Sequence, residues 1–177
     1  ELDEIYATLG RAVGLNKSLL LLSRIENGQY TETEDVSVDE VLDELLPDLM
    51  DIYEGKKIHL ERAKGEEPFV IRCNHALAQI MVSNLVKNSL LHNREGGELH
   101  IVTTASSLII KNSGEHPLDG EKLFRRFYRG IDGKKDSTGL GLAIARSIAL
   151  SASLSLTYKW QEGMHLFLLV KEPQKKS

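Results

Sequence analysis

With 177 residues, 41% of them hydrophobic, the chain is long enough for one domain with a core of its own plus an appendage. Its net charge of −4 offers no basic field for nucleic acid, and a single cysteine, Cys73, excludes an internal disulfide and fits a reducing compartment. No apolar run approaches the ~20 residues that span a bilayer, no signal peptide is visible, and an opening on Glu1 rather than Met leads us to expect a fragment of a longer protein.

Leu2, Ile5, Leu9 and Ala12, then Leu15, Leu19, Leu22 and Ile25, recur at intervals of three and four and predict one long amphipathic helix ending at Asn27-Gly28. A lone helix cannot bury such a stripe. It is expected to need another helix from the parent protein or a second copy, or else to fold back on the domain. Residues 31–35 are polar and read as a linker. Residues 36–38 suit a strand, and 39–53 a helix with Val41, Leu42, Leu45, Leu46, Leu49 and Ile52 inward and a kink at Pro47. Strands are expected over 57–61 and 69–72, then a helix from near His75. Gly96-Gly97 turns into a strand over 98–104, and Ser106-Ser107 into one over 108–111. A helix over 139–150 precedes two last strands, 154–160 and 164–171, joined at Glu162-Gly163. The sum is an α/β two-layer sandwich, one mixed sheet with helices on one face, preceded by the long helix.

Three of these elements carry chemistry. In the helix after His75, Asn84 and Asn88 share an arc with Leu77, Ile80, Met81 and Leu91, and so face the apolar side. A buried amide without a partner costs about 1–3 kcal/mol, so each must meet a neighbouring loop or a ligand. Two amide oxygens one turn apart suit a hard cation such as Mg²⁺. The strand over 108–111 ends in Asn112-Ser113-Gly114, either an ordinary strand-to-turn transition or a polar group placed to read a base edge. Ser137-Thr138-Gly139-Leu140-Gly141-Leu142 runs from a glycine turn into a helix start, either a tight turn or an anion site made of free N–H groups and the helix dipole. Between the last two lies Leu123-Phe124-Arg125-Arg126-Phe127-Tyr128-Arg129-Gly130, an aromatic pair among cations within a long polar segment, 115–138, that reads as a lid.

In this order the elements resemble the ATP-binding domain of sensor histidine kinases, over residues 36–170. Residues 84–93 are similar to that family's asparagine box, Asn112-Ser113-Gly114 to its first glycine box, Phe124 to Phe127 to its phenylalanine box, and Gly139-Leu140-Gly141-Leu142 to its second glycine box. Residues 15–30 are similar to the second helix of the family's dimerisation hairpin. The implied division is a partial hairpin over 1–30, a linker over 31–35 and an ATP-binding domain over 36–177. The resemblance implies ATP and Mg²⁺ as cofactors, a homodimer in the parent, an upstream hairpin helix and a response regulator as partners, and the cytoplasmic portion of a membrane-anchored sensor.

The resemblance also implies roles. Asn88, with Asn84, would hold Mg²⁺. His92, Thr138, Gly139, Leu140, Gly141 and Leu142 would line the phosphates, and Asn112 and Gly114 the base end; Phe124, counted with the nucleotide-binding residues, would with Phe127 pin the foot of the lid segment to the core. In related ATP hydrolases a Glu near Asn84 acts as general base; an amide cannot, which favours transfer over hydrolysis. Leu91 stands where the family often has Lys, so Arg94 or a lid cation is expected to replace that contact, with Arg126 and Arg129 first in line and Lys134 and Lys135 after them. Asn112 stands where the family usually has Asp. Its oxygen can take the adenine amino group, but a free amide can also turn and donate. None of His59, His75, His92, His100, His116 and His165 lies in an acceptor motif, so the phosphorylated histidine is expected upstream. Two readings stay beside this one: an anti-sigma-type serine kinase of the same fold, and a degenerate nucleotide-binding module.

Overall fold

The computed structural model describes residues 2–128 and 138–172. Helix α1 (Leu2–Glu26) leads to β1 (Glu34–Ser37), α2 (Val38–Ile52), a 3-10 turn (Glu54–Lys56), β2 (His59–Lys64) and β3 (Val70–Cys73). Then come α3 (His75–Leu91), β4 (Glu98–Thr104), β5 (Ser107–Ser113), α4 (Gly141–Ser151), β6 (Leu154–Gln161) and β7 (Met164–Lys171). Two helices start on side-chain caps: Ser37 Oγ accepts from the Glu40 N–H and Asn74 Oδ1 from the Leu77 N–H. Helix α4 has no side-chain cap.

Five strands form a sheet in the order β2-β4-β5-β7-β6, with β2 parallel to β4 and all other neighbours antiparallel. This is the expected mixed sheet. Strands β1 and β3 stand apart from it as an antiparallel pair, a second sheet that the one-sheet reading did not foresee. Each has four residues and runs directly into a helix cap, Ser37 or Asn74.

Period-two alternation turns Leu99, Ile101 and Thr103, Leu108, Ile110 and Asn112, and His165, Phe167 and Leu169 to the buried face. Helices α2, α3 and α4 contribute Val41, Leu42, Met81, Leu85, Ile144 and Ile148 to the same core. Burial of each such side chain stabilises by roughly 1.5–3 kcal/mol. Cys73 is a core residue, and burial pushes its thiol pKa up, away from reactivity. Helix α2 runs on through Pro47 to Ile52. Ile52, expected inward, lies at the helix's last residue and is exposed.

Helix α1 divides its stripe. Leu22 and Ile25 are buried, and the helix packs on α4. Leu2, Ile5, Leu9 and Val13 are exposed. The end of the helix thus folds onto the domain while its first turns keep an uncovered apolar face.

A buried carboxylate ties α2 to the strands. Asp39 accepts from Thr103 Oγ1 at 2.6 Å, from the Phe69 N–H at 3.0 Å and from Arg62 Nη2 at 3.2 Å. Burial by itself would raise its pKa, but these donors outweigh it and hold the carboxyl below the ordinary value. Asp39→Ala is therefore expected to destabilise the fold by about 2–4 kcal/mol at pH 7, because it leaves two buried donors, the Thr103 hydroxyl and the Phe69 N–H, without their acceptor and removes one of the carboxylates paired with Arg62. A folded pKa below the unfolded one gives stability that is present above the unfolded value of 3.8 and lost as pH falls through the folded one. Urea unfolding of wild type and variant at pH 7 and pH 3 checks both statements. A loss under about 0.5 kcal/mol at pH 7 would show that the network is dispensable.

Candidate functional site

A pocket of about 280 Å³ opens between α3 and the start of α4. Helix α3 contributes Asn84, Lys87, Asn88 and Leu91, followed by its C-cap His92; Tyr53 follows α2; Leu118, Leu123 and Tyr128 precede α4; and Thr138, Gly139, Gly141 and Leu142 form its entry. The core side of α3 is made of Leu77, Ala78, Met81, Val82, Leu85, Val86, Ser89 and Leu90. Asn84 and Asn88 are half-buried at the edge of that face, one turn apart, and not on it as expected. A helix flank lets core neighbours hold an amide while leaving it open to a ligand.

The start of α4 supplies the opposite wall. Its N–H groups before Ile144 have no helical acceptor, no side chain among the described residues caps them, and no acidic residue sits in the first turn. A Cβ at Gly141 would come 3.8 Å from the Asn84 amide, so the two walls face each other across the glycine. Positive partial charge, unspent donors and two amide oxygens converge on one space. That arrangement fits a polyanion accompanied by a hard cation.

Among the described residues, Lys87 is the cation that lines this space. Sequence reasoning passed over it and looked to Arg94, which is exposed and outside the lining. Its signal was present: three residues after Asn84 and one before Asn88, it shares their flank. Lys56 also went unforeseen. Its Nζ donates to Leu90 O at 2.9 Å, Leu91 O at 2.5 Å and Asn93 O at 3.0 Å, capping the end of α3 where Asn88, Leu91 and His92 sit.

The segment before α4 departs from expectation. Phe124 is buried, with Arg146 stacked 5.3 Å above its ring. Phe127 is 54% exposed and holds by its backbone: its N–H donates to Gly139 O at 2.9 Å, and its own φ is 64°. Arg126 does not line the pocket. Its Nη2 lies 2.6 Å from both carboxylate oxygens of Glu26 on α1. Leu140 is fully buried, so only its backbone belongs to the pocket's edge. Arg129, Lys134 and Lys135 lie outside the described residues.

Behind the pocket, Asn112 and Gly114 mark a polar end of the core. Asn112 is buried; its Nδ2 donates to Ser113 O at 3.0 Å, and its Oδ1 has no hydrogen-bond partner among the described residues. The amide is thus not free to turn, as the sequence reading allowed, and it presents its oxygen. A side chain at Gly114 would strike the His165 ring and come 2.9 Å from Trp160. Neither Asn112 nor Gly114 lines the open pocket.

Residues 73–174 match the family model described as "Histidine kinase-, DNA gyrase B-, and HSP90-like ATPase", and the chain belongs to that family. It is 28% identical over 160 residues to the sensor histidine kinase HprS of Escherichia coli, covering 86% of this chain and 35% of that protein. It is also 28% identical over 163 residues to the heme sensor protein HssS of Staphylococcus aureus, covering 83% of this chain and 33% of the relative. The chain therefore spans about a third of the length of the relatives it matches. Among solved structures, the Acinetobacter baumannii histidine kinase AdeS superimposes with a TM-score of 0.76 at 20% identity, over 98% of this chain and 84% of that one, which shows the shared fold.

Gly139 has φ of +69°, and a Cβ there would come 2.8 Å from Phe127 C. Gly139→Ala is expected to cost about 1–3 kcal/mol, from the left-handed backbone and the collision together. Urea unfolding measures it. An unchanged midpoint would show that the segment gives way without penalty.

Proposed function

We propose that this chain is the ATP-binding catalytic portion of a sensor histidine protein kinase, delivering the γ-phosphate of ATP to a histidine of the parent protein for relay to a response regulator. The observation that carries the reading is the uncapped start of α4 facing Asn84 and Asn88 across a glycine-lined gap. Free N–H groups and Lys87 bind phosphate oxygens. Asn88, with Asn84, holds Mg²⁺ without neutralising its charge. The bound metal nucleotide supplies an electrophilic terminal phosphate. The orphaned Oδ1 of Asn112 suits the amino group of adenine.

No carboxylate lines the pocket among the described residues, so no Asp or Glu stands ready to activate water. This favours transfer to a protein acceptor over hydrolysis. Helix α1 carries no histidine, and the acceptor belongs on a helix that pairs with its exposed stripe in the parent homodimer. Arg129 remains a candidate for the terminal phosphate. No helix among the described residues is long and apolar enough to cross a membrane, and the proposed setting is the cytoplasmic side of a membrane-anchored sensor.

The isolated chain should bind ADP more tightly with Mg²⁺ than without, by about tenfold, or ~1.4 kcal/mol. Asn88→Ala should abolish that difference and leave the nucleotide-free melting temperature little changed, since Ala suits a helix. Incubation with labelled ATP should leave the chain itself unlabelled, while the parent protein acquires acid-labile phosphohistidine. Equal affinity with and without Mg²⁺ in wild type would refute the metal role, and stable label on any of the chain's own histidines would refute the placement of the acceptor.

A further inference from the structure

The outer face of the five-stranded sheet is apolar where water would meet it. Strand β7 contains the unbroken run Leu166-Phe167-Leu168-Leu169-Val170. Phe167 and Leu169 point into the core, so Leu166, Leu168 and Val170 point the other way. Val102 on β4 and Ile109 on β5 stand beside them: Val102 is paired with Ile109, and Ile109 with Leu168. All five are half-buried, and none belongs to the core between sheet and helices. An antiparallel sheet with one face in water alternates apolar with polar residues. Three adjacent strands break that rule at one place, and a contiguous apolar patch marks a contact surface.

The strand register orders this face into rows. The middle row runs Val102, Ile109, Leu168, Thr157. On one side of it lies a charged row, Glu61, His100, Lys111, Leu166 and Lys159. On the other side lies a hydroxyl row, Thr104, Ser107 and Ser155, with Val170 among them. His100 Nδ1 lies 3.0 Å from Glu61 Oε2, and its Nε2 lies 3.0 Å from Glu98 Oε2, so the acids of this face are answered within the chain. Whatever covers the patch must therefore be apolar in the middle and must offer acceptors to Lys111 and Lys159.

We propose that this face is the contact between two copies of the chain, sheet on sheet, related by a two-fold axis that crosses the strands over Ile109. Such an axis lays the middle row on its own copy, apolar on apolar. It sets the charged row of each copy against the hydroxyl row of the other, so that Lys111 meets the other copy's Ser107 and Lys159 its Ser155, donors facing acceptors. An axis along the strands would instead put Lys111 on Lys111, which like charge disfavours. A single helix covers a strip only about 10 Å wide, whereas a second sheet covers every strand at the ~10 Å spacing of stacked sheets. Strands about 4.8 Å apart and about 20 Å long give five of them a face on the order of 500 Å² in projection. Side-chain relief brings that close to the ~800 Å² that each partner gives to a standard interface. The pocket and α1 lie on the helix side of the sheet, so this contact leaves both free.

The test uses the full chain carrying Ile5→Lys and Leu9→Lys, exposed positions whose change removes any pairing through α1. In sedimentation velocity it should still form a reversible dimer, with a Kd on the order of 10 µM. Adding Leu168→Glu should weaken that dimer by about tenfold or more and leave the melting temperature in place, since Leu168 faces away from the core. Cys73 is buried, so introduced cysteines report alone. Under mild oxidation Ile109→Cys should cross-link to itself, and Lys111→Cys to Ser107→Cys only when the two chains are mixed. These cross-links decide the matter even where Leu168→Glu fails to fold. A monomer at about 200 µM overturns the proposal and leaves the face to a different partner. A dimer that Leu168→Glu leaves intact overturns it too, as does the absence of the Ile109→Cys product, or Lys111→Cys coupling to itself alone.

Discussion

Helix α4 starts on Leu140 with no side-chain cap, and the fold sets those first free N–H groups against the flank of α3. Ordinarily a helix end so placed is a defect, because unspent donors near a core cost free energy. Here the sequence removes every internal remedy. Gly141 brings no bulk between the helices, no acid stands in the first turn, and no side chain among the described residues caps the helix. In the proposed function, the bound nucleotide's phosphates meet this electrostatic demand. Much of the rest serves to keep the two walls in register. Core residues of α3 and α4 pack together, Lys56 closes the end of α3, and the Phe127–Gly139 contact shapes the entry to α4.

The end proposed for the base follows a different logic. It is a patch of polar groups set into the buried face of a sheet, where each one must be satisfied by another. Ser113 Oγ accepts the Glu98 N–H, Asn93 Nδ2 donates to Glu98 O, and Tyr158 joins His165 to Leu118. Asn112 Oδ1 is left over from that exchange. On the proposed reading, one end of the site attracts by field and the other by pattern, and the first tolerates imprecision that the second does not.

What could be read from the sequence was whatever depends on spacing along it. Strands β4 and β7 were placed by the turn residues before them, α1 by intervals of three and four, α3 by its apolar arc and α4 by its glycine entry. Asn84 and Asn88 were found as a pair because one turn separates them, though only packing shows that they stand on the flank. Residues whose role depends on distant segments escaped. Lys56 reaches the end of α3 across 34 residues or more, and His165 faces Asn112 only because β7 inserts beside β5. The exposure of Phe127 was equally hidden, since a positive φ in a non-glycine residue leaves no mark on hydropathy.

The pair between Glu26 and Arg126 joins positions 100 residues apart. It couples the last turn of α1 to the residue before Phe127, and so, through one backbone hydrogen bond, to Gly139 and the threshold of α4. Both partners are about half exposed, and such a pair contributes little, roughly 0–1 kcal/mol. The helix and the rim of the pocket therefore share a weak tether rather than a rigid joint. A twist of α1 about its own axis must either drag the rim along or let go of it, and letting go costs no more than thermal agitation routinely supplies.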